Sequence, residues 1–146
     1  MRRALPFLGA LALVVGAWLA WDALVVDERE RVAAVADAFA GEIRTDRVDA
    51  ALQHVDVDVA PLEVDVRGRT RVYGRGAAGD LRRDALRGLG AHMGQTLRVL
   101  SRSIELDEDA ATVAQRLMGD RGMVQVELRL EHHEQRWLVR RLRVHR

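Results

Sequence analysis

"QRWLVRRLRV", residues 135–144, carries Trp137 and Val139 and then Leu142 and Val144. The apolar positions change parity across Arg140-Arg141. One extra residue in a strand does this, so the stretch predicts a β-bulge at that place. A bulge bends a sheet, and a bent sheet can wrap around helices.

Three more strand-like runs stand before it, at Thr96–Leu106, Ala110–Met118 and Met123–Glu131. The links "DED", "GDRG" and "HHEQ" are short and turn-like, which predicts an antiparallel meander. In the third run Val124, Val126, Leu128 and Leu130 alternate with Gln125, Glu127, Arg129 and Glu131. One face of the sheet is therefore expected to be wet.

Upstream, the period is helical. Val32, Val35, Ala36, Phe39 and Ile43 form one apolar stripe. Thr45 or Asp46 can cap a second helix whose stripe is Val48, Ala51, Leu52 and Val55. Leu62–Val66 and Arg69–Tyr73 alternate as a strand pair around Arg67-Gly68. A third helix is expected from Asp80, as N-cap, to about Met93, with Gly94 as its stop. Leu81, Ala85, Leu89 and Met93 mark its buried face.

Between that strand pair and the third helix lies "VYGRGAAGDL", residues 72–81, a literal G-x-G-x-x-G. A dinucleotide cradle needs a central, doubly apolar parallel strand before it and an acidic residue about 20 positions after it. The strand here is half polar, and no acid occurs between Asp84 and Glu105. The glycines are read as a strand-to-helix connection, and no cofactor is expected.

The N-terminus differs in kind. Arg2 and Arg3 precede an uncharged run from Ala4 to Trp21, roughly 27 Å long as a helix. Trp18 and Trp21 stand at its far end and Asp22 follows. Residues 1–26 are expected to be a signal-anchor and residues 27–146 a single domain. The positive-inside bias holds the N-terminus in the cytoplasm and places the domain in the periplasm or its equivalent. A cleaved signal peptide and a buried core helix are the alternatives.

Composition sets further bounds. The 146-residue chain is 49% hydrophobic and 31% charged, with a net charge of +1. That balance does not suit a nucleic-acid binder. There is no Cys, which excludes disulfides and thiolate chemistry. Every basic residue among the 23 is Arg, which excludes Schiff-base and P-loop chemistry. Usage of this kind is a mark of GC-rich, bacterial coding.

Few residues suggest chemistry. Glu131, His132, His133 and Glu134 are ligand types, but adjacent strand residues face opposite ways, so a polar hairpin tip is expected and no metal. His92 is a candidate because imidazole is a side chain suited to acid–base work. Tyr73 and Asp84 are further candidates to line a pocket. Gln115 and Arg116 are strand neighbours, so one of them faces inward; an inward Arg116 could hold an anion. The arginines of the last strand are read as a solvated face.

The order of two helices, a strand pair, a third helix and four long strands, closed by the W-x-V-x-x-L-x-V pattern of residues 137–144, resembles the nuclear transport factor 2-like, or SnoaL-like, superfamily over residues 28–146. The resemblance implies an α+β cone: a curved antiparallel sheet wrapped around three helices, with a pocket at its open end. Enzymes of the superfamily pair Asp with His, or Tyr with Asp, inside the cone. No such pair can be matched here residue by residue. Membrane-tethered members, including assembly factors of type IV secretion, share the arrangement of one N-terminal helix and an external cone. The resulting expectation is a non-catalytic, membrane-anchored domain that binds a partner protein or a small apolar ligand, with its sheet face open to a homodimer or a partner protein. The alternative is a tethered acid–base enzyme using His92 with Asp84 or Tyr73.

Overall fold

The parity switch in the last strand is a β-bulge. In the computed structural model, strand β7 (Arg136–His145) pairs antiparallel with β6 (Gly122–His133), and the register steps from Arg129↔Arg141 to Leu130↔Val139, leaving Arg140 as the extra residue. A second irregularity separates Val99 from Ser101 where β4 (Thr96–Leu106) meets β5 (Ala110–Gly119). The two flank the β5–β6 pair and let the sheet curl.

Residues 27–146 are described, together with Ala17, Ala20 and Trp21. The chain divides into two units, Met1–Arg31 and Val32–Arg146. The expected anchor at residues 4–21 lies, those three positions apart, outside the described residues. Among the described residues no helix is long and apolar enough to cross a membrane.

The second unit holds one seven-stranded sheet in the order β1-β4-β5-β6-β7-β2-β3. Strands β1 (Gly41–Glu42), β2 (Leu62–Val66) and β3 (Arg69–Tyr73) complete the set. Every pairing is antiparallel except β2 with β7, which run parallel from Glu63↔Arg141 to Val66↔Val144. The β2–β3 turn closes on Arg67 and Gly68, both at positive φ, as a two-residue hairpin loop of this hand requires. Asp65 Oδ1 accepts the Gly68 N–H at 3.0 Å and fixes the turn.

Three helices lie against the inner face of this sheet. Of α1, residues 27–38 are helical, and its Val32, Val35 and Ala36 belong to the second unit's core. Helix α2 spans Thr45–Leu52 and α3 spans Ala78–Leu89, extended by a 3-10 turn at Gly90–His92. The α1 stripe outlasts the helix: Ile43 is buried but follows β1. The break comes at Gly41, at φ +87°, where a Cβ would stand 2.6 Å from Arg47 Nη2. That guanidinium donates to Ala40 O at 2.7 Å, capping the carbonyls at the helix end.

Three helix boundaries differ from the sequence reading. Helix α3 begins at Ala78, so Asp80 sits in its first turn, bonded to Arg83 at 2.8 Å, rather than capping it. A carboxylate in the first turn is favoured by the helix dipole as well as one at the cap. The helix tightens at Gly90 and Met93 is exposed, because the chain must turn at Gly94 (φ +83°) to bond Ile43 O. Helix α2 has Arg44 at its N-cap and no side-chain cap.

The core is the inner face of β5, β6 and β7. Val113, Leu117, Leu128, Leu130 and Val139 have 0% exposure. They pack with Trp137, Tyr73, Leu81 and the α1 residues as one cluster. Each such side chain contributes roughly 1.5–3 kcal/mol on leaving water.

Candidate functional site

Strand parity decides which polar groups enter this apolar interior. Val113, Gln115 and Leu117 share a face, so Gln115 points inward and is 1% exposed. Arg116 therefore lies on the outer face and is exposed, not in the interior. The Gln115 amide is satisfied by two elements. Its Oε1 accepts from Arg102 Nε at 3.0 Å, and its Nε2 donates to Ala36 O at 3.4 Å. Arg102 continues to Asp37 Oδ1 at 2.7 Å. This network ties β4 and β5 to the C-terminal turn of α1, where a cation is favoured by the helix dipole. The sequence reading passed over Arg102, although its period with Ile104 and Leu106 marks it as inward.

Tyr73 and Asp84 are brought together. Tyr73 ends β3 and is 7% exposed, with its ring in the core. Asp84 lies on α3 one turn after Leu81. The Tyr73 hydroxyl donates to Asp84 Oδ2 at 2.8 Å. Arg71, two residues earlier on the same face of β3, reaches the same oxygen at 2.7 Å and lies 5.2 Å from the Tyr73 ring centroid. Burial raises the Tyr73 pKa above its ordinary value, and the bond to Asp84 raises it further. The phenol is thus held neutral, as a donor.

His92 stands apart from that pair. It occupies the 3-10 turn, and its Nδ1 lies 3.3 Å from Gln95 Oε1. The four candidates thus separate into a Tyr73–Asp84 pair, a half-buried His92 and an outward Arg116.

The glycine stretch is explained without a ligand. Gly76 adopts φ +80°, and Ala77 N–H bonds Gly74 O at 3.0 Å in a tight turn. The Gly76 N–H is taken by Asp58 Oδ1 at 2.8 Å, so a carboxylate of the chain itself occupies the donor. No side-chain atom lies near Gly74 or Gly79. At the β6–β7 hairpin, His132 faces the Trp137 ring, 5.0 Å away, opposite in direction to His133. Among the described residues no group of three His, Cys, Asp or Glu is placed to hold a metal ion.

Two depressions lie at the surface of the described residues. One, of about 420 Å³, lies between the β4–β5 turn (Asp107, Glu108, Asp109) and Glu131 with His132. The other, of about 220 Å³, lies beside the bulge between Glu63, Val72, Arg129 and Arg140. Neither is lined by Tyr73, Asp84 or His92.

No protein-family model matches the sequence, and no curated protein matches it. Solved structures do resemble the chain. An NTF2-like protein with a cystatin-like fold from Novosphingobium aromaticivorans superposes with a TM-score of 0.64 at 18% identity, covering 86% of each chain. A Nostoc punctiforme protein of unknown function with a cystatin-like fold gives 0.63 at 14% identity, covering 80% of this chain and 88% of its own. A Mycobacterium tuberculosis protein of unknown function gives 0.55 at 18% identity, covering 90% of this chain and 74% of its own. At such identities the likeness speaks for the fold: the domain has the curled-sheet α+β architecture of the NTF2-like, cystatin-like proteins.

Proposed function

We propose that this is a non-catalytic binding domain, held outside the cytoplasm by the apolar segment at residues 4–21, and that it engages a partner protein through the outer face of its sheet. The observation that carries this reading is the filled interior. Val113, Leu117, Leu128, Leu130 and Val139 are closed to solvent, and the inward amide of Gln115 is already bonded on both sides. A small apolar ligand inside the cone has to displace packed side chains, at a cost of several kcal/mol. The outer face is wet and charged, with Arg116, Gln125 and Arg129 exposed along β5 and β6. A second copy of the chain is the simplest partner for it.

The test is made on the full chain in bacterial membranes. Cysteines introduced at Arg116 and Gln125 are expected to cross-link to a neighbouring protein, whereas one at Arg83 on α3 is not. Retention through alkaline extraction and protease sensitivity from the outer side support the anchor. Release by alkali, or equal cross-linking from the helical side, overturns the reading.

An acid–base enzyme is the second reading, and the 2.8 Å Tyr73–Asp84 bond favours it. It requires an isomerase, cyclase or dehydratase turnover that Tyr73→Phe abolishes while the fold persists. Retained turnover in that variant removes it.

A further inference from the structure

Strand β3 ends the sheet, and its far edge meets no other strand. The β2–β3 hairpin has a two-residue loop, so Val66 and Arg69 exchange both backbone hydrogen bonds, and Val64 with Arg71 and Leu62 with Tyr73 follow in step. The Arg67 N–H points to the other side of β2 and bonds Val144 O of β7 at 3.3 Å, in agreement with that phase. The N–H and C=O groups of Thr70 and Val72 therefore point outward, where no partner meets them among the described residues. The edge is held from behind. Strand β7 pairs with β2, and Arg140 Nη1 donates to Asp56 O and Ala60 O, each at 2.9 Å, in the loop that leads into the hairpin.

The opposite end of the sheet is guarded. There β1 covers the first residues of β4, and the irregularity between Val99 and Ser101 breaks the line of the next ones. Strand β3 has neither protection, and its register with β2 is unbroken. Its charge is one-sided as well. The stretch "RGRTRVYGR", residues 67–75, holds four arginines and no acid. Arg71 is paired with Asp84, whereas the side chains of Arg67, Arg69 and Arg75 make no hydrogen bond or ion pair among the described residues. Antiparallel pairing of two β3 edges sets these arginine rows against each other, which disfavours a second copy of the chain here.

We propose that the β3 edge takes up an extended acidic segment of a partner protein as an added antiparallel strand. The backbone of that segment bonds Thr70 and Val72. Its residues opposite these two lie on the outer face, where an apolar side chain suits Val72, 61% exposed. The residues between them fall on the inner face beside Arg69 and Arg71, where carboxylates match the unpaired charge. The recognised pattern is thus an alternation of apolar and acidic residues. The edge and the outer sheet face are different surfaces, so either reading can fail without the other.

The experiment titrates the ¹⁵N-labelled full chain in detergent micelles with a capped peptide of about eight residues that alternates valine with glutamate. Saturable binding is expected, with the Thr70 and Val72 amides newly protected from hydrogen exchange and those of Arg69 and Arg71 protected throughout. N-methylation of the valine amides, which face β3 in this register, abolishes binding. N-methylation of the glutamate amides, which face away, leaves it intact. A peptide with lysine in place of glutamate does not bind. Arg69→Glu, at an exposed position, weakens binding about tenfold, equivalent to a change of about 1.4 kcal/mol. Arg121→Gln, in the β5–β6 turn, leaves it unchanged. The unaltered backbone spectrum of each variant away from β3 establishes that it folds. No saturable binding, binding without protection of Thr70 and Val72, binding that survives methylation at valine, equal binding of the lysine peptide, no loss in Arg69→Glu, or tighter binding of an oligonucleotide of equal charge each overturns the proposal.

Discussion

Arg102 and Gln115 oppose one another across β4 and β5 and share a 3.0 Å hydrogen bond inside an otherwise apolar face. Polar groups in such a place stabilise only when fully bonded. Arg102→Ala leaves Gln115 Oε1 without that donor and detaches Asp37. A loss of about 1–3 kcal/mol is expected in urea unfolding. In the double variant Arg102→Ala with Gln115→Leu, the loss is smaller than the sum of the two single losses. Additive losses would show that the pair is not coupled.

Tyr73 is the only tyrosine, so its ionisation can be read directly from ultraviolet absorbance. Burial and the bond to Asp84 both favour the neutral phenol. Its midpoint is expected above the ordinary value of about 10, and Asp84→Asn is expected to move it down. The sign for stability follows. A raised folded-state pKa contributes stability in full below about pH 10 and loses it as the pH climbs through the folded value. Tyr73→Phe flattens that alkaline decline.

His54 behaves oppositely. It is half-buried after α2, its backbone carbonyl accepts the Val139 N–H at 2.8 Å, and desolvation lowers its pKa. The folded state thus prefers the neutral ring. The associated stability is complete above about pH 6.5 and is lost as the pH falls from there through the folded value. A histidine-resolved NMR titration should place His54 below the ordinary imidazole value of about 6.5. His54→Gln should reduce the fall in urea midpoint between neutral pH and pH 5.

The three loop glycines should respond unequally to alanine. Gly76, at φ +80°, incurs strain of about 1–2 kcal/mol. At Gly74 a Cβ meets nothing, and little change is expected. Gly79 lies within α3, where alanine should stabilise by about 0.5–1 kcal/mol. Thermal unfolding of the three variants checks the order. Equal losses at all three positions would point to a shared requirement for close backbone approach.

The long strands were legible because each alternates over most of its length, with a single step in β4 and in β7, and short turns leave few ways to pair them. The bulge was legible for the same reason, since one extra residue leaves a mark on parity. Strand β1 was not, because Gly41–Glu42 is too short to show a period. The parallel contact of β2 with β7 was not, because nothing local links Val66 to Val144. The site follows the same division. Tyr73 and Asp84 could be named separately, but their meeting depends on how α3 returns over β3. The choice between Gln115 and Arg116 was open to parity alone, since Val113 and Leu117 flank the glutamine on one face. The reach of Arg102 to Asp37 joins residues too far apart for any periodic reading.

The parallel seam between β2 and β7 also sets an order of events. The β2–β3 hairpin leaves the ribosome early, but the strand that joins it to the rest of the sheet is made after β4, β5 and β6. Until β7 arrives, β2 has an open edge and the loop from Asp56 to Ala60 lacks the guanidinium that binds its carbonyls. The nascent chain therefore carries an open strand edge until its last strand is made, and its assembly is slow in the way that long-range pairings are slow.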